Sequence, residues 1–118
     1  MTDTRELVRT IVEECWSDEA GTERMRLLVT DGYVHHTPFG DWTFDQFCAG
    51  LAWIDSRITE RRYRVEHVVV DGELAAAYIS WNGVRRDDSS PVDGRGAYHC
   101  RVRDGLIAED WDVFNPAT

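Results

Sequence analysis

Hydrophobic positions recur at helical spacing in the first half of the chain and alternate in the second half. Between residues 3 and 16, Leu7, Val8, Ile11, Val12, Cys15 and Trp16 form one broad apolar stripe. That spacing predicts an amphipathic helix, with Asp3 and Glu6 placed for a capping box. Trp16, at the end of the stripe, is either core or the wall of a pocket. After a polar break around Gly21, a shorter helix is predicted over 23–29, stopped by Asp31-Gly32. Tyr33-Val34-His35-His36 then alternates as a short strand that Pro38 and Gly40 end. Alternation turns one histidine inward and leaves open which. Thr43 with Gln46 offers a capping box for a third helix over 44–58. Phe44, Phe47, Leu51, Ile54 and Ile58 share one side of it; Cys48 and Trp53 lie off that side.

The period changes after Glu60-Arg61-Arg62, which reads as a solvated turn. Residues 63–70 and 74–82 are predicted strands joined at Asp71-Gly72, with Val68 opposite Ala75 and His67 opposite Ala76. The polar stretch 85–93 is a hairpin tip or a lid. A last ribbon, 96–103 and 107–114, turns at Asp104-Gly105, the strongest short hairpin signal a sequence offers. Asn115-Pro116 ends it. A two-residue turn pairs Val102 with Ile107, Cys100 with Glu109, Tyr98 with Trp111, His99 with Asp110 and Ala97 with Asp112. One ribbon face then carries Tyr98, Cys100, Val102, Ile107, Trp111 and Val113; the other carries His99, Arg101, Asp110, Asp112 and Phe114. An imidazole opposite one carboxylate and diagonal to a second is a candidate for chemistry; a merely wet face is the alternative.

Helices first and strands afterwards indicate an α+β fold, and 118 residues suit a single domain, 1–118. A long twisted sheet curling around its helices encloses a cone-shaped cavity. The net charge of −9 argues against a nucleic-acid or anionic-membrane partner. No apolar run reads as a signal peptide or a membrane span. Cys15, Cys48 and Cys100 lack motif spacing and read as reduced thiols in a cytoplasmic protein. The four histidines, His35, His36, His67 and His99, lack ligand spacing, so no metal is expected. Without a phosphate loop or nucleotide fingerprint, no cofactor is expected either.

The order of elements resembles the NTF2-like superfamily, and several positions resemble its SnoaL-like branch, which includes polyketide cyclases. These are Tyr33 with His36 and Pro38, Trp81 with Gly83, Gly94, and the closing run Arg103-Asp104-Gly105-Leu106-Ile107-Ala108-Glu109-Asp110-Trp111-Asp112. The resemblance covers nearly the whole chain. It implies a cone with three N-terminal helices packed on the concave face of a curved, mostly antiparallel sheet. It also implies that Asp112 is the general acid/base and that His99, on the preceding strand, shares its pocket. Limonene-epoxide-hydrolase-like members of the fold fit less well, because Ile79 and Trp81 stand where they carry an arginine and an aspartate. Ketosteroid-isomerase-like members need a base where Thr37 stands, although His36 beside it can serve. The sheet position where those members need an acidic hydrogen-bond donor is apolar here.

Two functions follow from this. One is a small acid/base enzyme of cyclase, isomerase or dehydratase type, acting on a hydrophobic carbonyl compound. A desolvated Asp112 would move the proton, His99 or His36 would polarise the oxygen, and Tyr33, Trp42, Trp53 and Phe114 would wall the ligand. Asp110 would contact substrate or, more simply, partner His99. The other function is a non-catalytic dimeric module that binds a ligand or protein. In either case the apolar ribbon face, with Tyr98, Val102, Ile107 and Trp111, would be convex and would form a homodimer interface.

Overall fold

The structure is a computed structural model that describes residues 3–115; Pro116 lies outside them. Helix α1 (Thr4–Arg9) runs on as π-helical turns over Thr10–Cys15, and its stripe buries Leu7, Val8, Ile11, Val12, Cys15 and Trp16. Asp3 makes no side-chain cap; its carbonyl accepts the Leu7 N–H at 2.9 Å instead. Helix α2 (Gly21–Arg26) is shorter than predicted, because Val29 pairs with Ile107 and opens strand β1 (Val29–Thr37). Asp31-Gly32 therefore falls within β1, at an irregularity between Val29 and Val34, and does not cap a helix. After β2 (Gly40–Trp42), the Thr43–Gln46 capping box forms as predicted and opens α3 (Phe44–Asp55).

Strands β3 (Ile58–Asp71), β4 (Leu74–Arg85), β5 (Pro91–Arg103) and β6 (Leu106–Phe114) complete the sheet. Its order is β2-β1-β6-β5-β4-β3, antiparallel except for the parallel β1–β6 pair. The helices pack on the face that presents Tyr33, Val65, Ala75, Ala77, Ile79, Tyr98, Cys100 and Ile107, and together they form one core. One stretch expected to be a polar connection is built into a strand. Ile58 begins β3 opposite Arg85, so Glu60-Arg61-Arg62 lies within that strand. A left-handed Glu60 (φ 55°) interrupts the pairing there and turns Arg61 inward, where it is buried. Of the polar stretch 85–93, only residues 86–90 form the hairpin tip, and Pro91–Asp93 already belong to β5; the Arg86 N–H of the tip donates to the Arg57 carbonyl at 2.9 Å.

Both long hairpins depart from the predicted register, with opposite consequences. In β3–β4 the turn closes one residue later, Asp71 faces Leu74, and Val68 faces Ala77 in place of Ala75. A slip of two leaves residues 67–70 on their predicted faces, and an irregularity between Val65 and His67 then turns Tyr63, Arg64 and Val65 to the opposite one. In β5–β6 the turn at Asp104 (φ 52°) and Gly105 (φ 78°) forms as predicted, and Val102 faces Ile107. Ala108 is then an extra residue, and Arg101 faces Glu109, Cys100 faces Asp110, His99 faces Trp111 and Tyr98 faces Asp112. A bulge of one residue inverts everything beyond it. Tyr98 and Cys100 thus join Asp110, Asp112 and Phe114 on the helix-covered face. His99 goes to the bare face with Trp111.

Candidate functional site

Asp110 sits at the centre of the covered face and is fully buried. Its carboxylate accepts from the Tyr33 hydroxyl at 2.9 Å, the Tyr98 hydroxyl at 2.8 Å and the His35 Nδ1–H at 2.6 Å. The donors come from β1 and β5, the two neighbours of β6. The bond at Nδ1 fixes the ring and its tautomer. Nε2 of His35 therefore points the other way, 3.5 Å from Asp112 Oδ1. The three residues form a line, Asp110–His35–Asp112, whose inner end is closed off.

The outer end opens into a cavity of about 800 Å³, bounded by Asp112, Phe114, Tyr63, Trp81, Trp16 and Arg61 on its inner wall. Phe47, Leu51, Trp53 and Ile54 of α3 wall the helix side, and Phe39, Arg57, Arg85, Arg86 and Asp87 ring the mouth. Glycine lets the sheet carry these rings. A Cβ on Gly96 would stand 2.1 Å from the Phe114 ring, and one on Gly94 would stand 2.6 Å from Trp81 Nε1.

Burial raises the Asp112 carboxyl to about 6; the His35 charge pulls it down and the Asp110 charge pushes it up, both by less. His35 responds in the complementary sense. Burial is the largest influence and favours the neutral ring, but the Asp110 hydrogen bond and the charges of Asp110 and Asp112 outweigh it, leaving its pKa above the ordinary value. An acid raised and an imidazole raised beside it can hold one proton between them near neutral pH. Burial also raises the Tyr33 and Tyr98 hydroxyls, with the Asp110 charge adding to it, so both stay protonated donors.

Of the residues singled out in the sequence, Asp112, Trp53 and Phe114 line this cavity. Tyr33, Asp110 and Trp42 stand behind it: Tyr33 and Asp110 in the buried network, Trp42 with its ring 5.8 Å from that of His35. His99 and His36 do not meet Asp112. The β6 bulge puts His99 on the bare face, stacked on Trp111 at 4.9 Å. His36 is there too, 4.8 Å from the other side of that indole, bonded to Glu109 at 3.0 Å and Asp41 at 2.8 Å. The inward histidine is His35, and alternation could not choose it. Arg61, Tyr63 and Trp81 were not singled out as wall residues. Arg61 was hidden by the irregularity at Glu60 and Tyr63 by a second one between Val65 and His67, whereas alternation along β4 does place Trp81 on the covered face with Ala75, Ala77 and Ile79.

The expected convex patch is corrected in the same way. Tyr98 and Ile107 belong to the core, 1% and 0% exposed. The bare face instead exposes Val69, Tyr78 and Val113 around a shallow depression of about 490 Å³. Among the described residues, no cluster of three or more His, Cys, Asp or Glu is placed to hold a metal ion, and no helix is long and apolar enough to cross a membrane.

No curated protein matches the sequence. Several solved structures share its fold. IdmH of Streptomyces antibioticus, described as a candidate polyketide cyclase, is 17% identical with a TM-score of 0.87, over 97% of this chain and 93% of that one. A candidate SnoaL-like polyketide cyclase of Jannaschia sp. CCS1 is 17% identical with a TM-score of 0.83, over 94% and 84%. AclR of Streptomyces galilaeus, described as a candidate hydroxylase, is 16% identical with a TM-score of 0.80, over 94% and 74%. Residues 8–110 match the family described as the SnoaL-like domain, and the chain belongs to that family.

Proposed function

We propose that the protein is a cofactor-independent acid/base enzyme of cyclase, isomerase or dehydratase type, acting on a hydrophobic carbonyl compound in this cavity. The observation that carries the reading is Asp112. Its carboxyl faces an aromatic-walled cavity, is raised to about 6 by burial, and stands 3.5 Å from His35 Nε2. A carboxylate so placed removes a proton from the carbon next to a carbonyl, giving an enolate and a neutral acid. Asp112 then returns that proton to carbon or oxygen, or passes it to His35 Nε2, whose other nitrogen Asp110 holds. The His35 charge offsets the second negative centre while the enolate lasts. The Tyr63 hydroxyl, raised by burial and only partly offset by the Arg61 charge, stays a proton donor on the same wall. It takes the oxygen-polarising role expected of His99 or His36.

The test needs no natural substrate. In heavy water, 2-acetonaphthone should lose its methyl proton signal faster with the enzyme than with buffer, and the rate should rise as pH passes through about 6. Asp112→Asn should return the rate to that of buffer. Equal exchange by wild type and Asp112→Asn would instead favour the binding-module reading. We place a homodimer contact on the bare face, where Val69, Tyr78 and Val113 are exposed and Trp111 lies between His36 and His99. Val69→Glu with Val113→Glu should yield a monomer by light scattering.

A further inference from the structure

The cavity wall has a charge that the rest of the chain does not. The protein carries −9 overall and holds 13 basic residues, all arginines. Four of them, Arg57, Arg61, Arg85 and Arg86, border this one cavity, against Asp87 and Asp112 as its acids among the described residues. Arg61 is paired with Asp55, and Arg86 Nε–H donates to the Asp55 carbonyl. Among the described residues, Arg57 and Arg85 have no carboxylate partner. The Arg57 guanidinium carbon lies over the Trp53 ring, 4.6 Å from its centroid.

A second observation points the same way. Among the described residues, three buried side-chain N–H groups lack an acceptor: Trp16 Nε1, Trp81 Nε1 and Arg61 Nε. All three belong to residues of this wall, and Arg61 is 3% exposed. Buried donors normally have partners, so three orphans on one cavity mark where an acceptor is missing. The wall therefore combines residues short of acceptors with guanidinium charge at the mouth, aromatic faces and one raised carboxyl. Phe39 stands at the mouth 95% exposed, an aryl surface with nothing on it.

We infer that the cavity takes an aromatic carboxylic acid, with its ring system along Tyr63, Trp81 and Phe114 and its carboxylate held at the mouth by Arg57 and Arg85. This deepens the proposed function by naming the substrate class, and it rests on that reading only for the placement of the reactive carbonyl toward Asp112. A planar carboxylate matches the guanidinium fork. The acidic exterior repels anions, so capture depends on this local positive rim.

The experiment is calorimetric titration with 6-acetyl-2-naphthoic acid and its methyl ester, which share the aryl ketone and differ in charge. Wild type should bind the acid roughly tenfold tighter than the ester, as befits two partly exposed charge-assisted contacts. Arg57→Gln with Arg85→Gln should erase that preference by weakening the acid about tenfold more than the ester, and added salt should erode the preference in wild type. Equal or tighter binding of the ester, loss of both ligands alike in the double variant, or no saturable binding of either compound would overturn the inference. Failure of the acid/base reading looks different. An ordinary Asp112 pKa, or proton exchange indifferent to Asp112→Asn, sinks that reading while an acid preference stands.

Discussion

His35 and His36 are consecutive, each meets a carboxylate of β6, and each is raised in pKa, yet they belong to two different kinds of structure. His35 faces the helices, 3% exposed, bonded to a fully buried Asp110. Its charge is held against desolvation, the largest influence on it, by Asp110 and Asp112. His36 faces the bare side, 23% exposed, and is raised chiefly by hydrogen bonds to Glu109 and then Asp41, with little burial to oppose them. A low-dielectric pair is costly to break, because each partner is left stranded. A solvated pair is nearly dispensable, because water replaces either partner. The same two residue types, one position apart, thus make a buried, charge-coupled cluster on one face and a surface bridge on the other.

The sharpest way to break the comparison is at its deepest group. Asp110→Asn puts an amide N–H₂ where Tyr33, Tyr98 and His35 all donate, and should cost about 3–5 kcal/mol in urea unfolding. The corresponding change on the bare face, Glu109→Gln, should cost less than about 1 kcal/mol. Equal costs would mean that the buried network is not the strut its geometry describes.

The next effect is one of sign. Asp112 is an acid whose folded pKa, about 6, lies above its ordinary 3.8. Between those values the folded chain binds more protons than the unfolded one, so stability falls as pH rises from 3.8 to 6 and stays lowered above. His35, raised as well, loses its contribution when pH passes its folded value. Asp112→Asn removes the carboxylate's cost, so at pH 8 it should raise stability by roughly 1–2 kcal/mol, a few degrees in Tm, and at pH 4 it should change little. Loss of activity with gain of stability is the pattern of a group placed for chemistry. A destabilised Asp112→Asn at pH 8 would make Asp112 a structural partner of His35.

A smaller effect separates the two histidines directly. The His35 charge lowers the Asp112 pKa. His35→Phe should therefore move it upward from about 6, by an amount visible in carboxyl carbon shifts followed against pH. His36→Phe, on the other side of the sheet, should leave the Asp112 titration where it is.

What was legible and what was not divides at the irregularities in the strands. The helical stripes, the Thr43–Gln46 cap and the turn at Asp104-Gly105 depend on local spacing, and the structure keeps them. Asp112 and Phe114 as cavity residues also followed from the chain's resemblance and alternation. The pairing of His99 with Asp112 required an unbroken ladder, and Ala108 breaks it. Nothing local marks Ala108 as a bulge; the parallel pairing of β6 with β1, in which Asp110 meets His35 75 residues earlier in sequence, is a contact that no window of sequence contains. Arg61 escaped for a related reason, since a left-handed Glu60 is not a residue type that announces positive φ. Local rules carried as far as the next irregularity, and the site is assembled just beyond two of them.

The least effect expected is also the one that tests the bare face on its own terms. Glu109 is lowered from its ordinary 4.5, first by the His36 hydrogen bond and then by Arg101. Its contribution is present above 4.5 and lost as pH falls through the folded value; that of His36, raised above 6.5, is present below 6.5 and lost as pH rises through its own. The pair is therefore worth most between those two values. His36→Ala should cost a few tenths of a kcal/mol there, less above it, and almost nothing in high salt, where exposed charges are screened. A cost that persists in high salt would show that His36 contributes by stacking on Trp111 rather than by its charge, and that the bare face is held by aromatic contact.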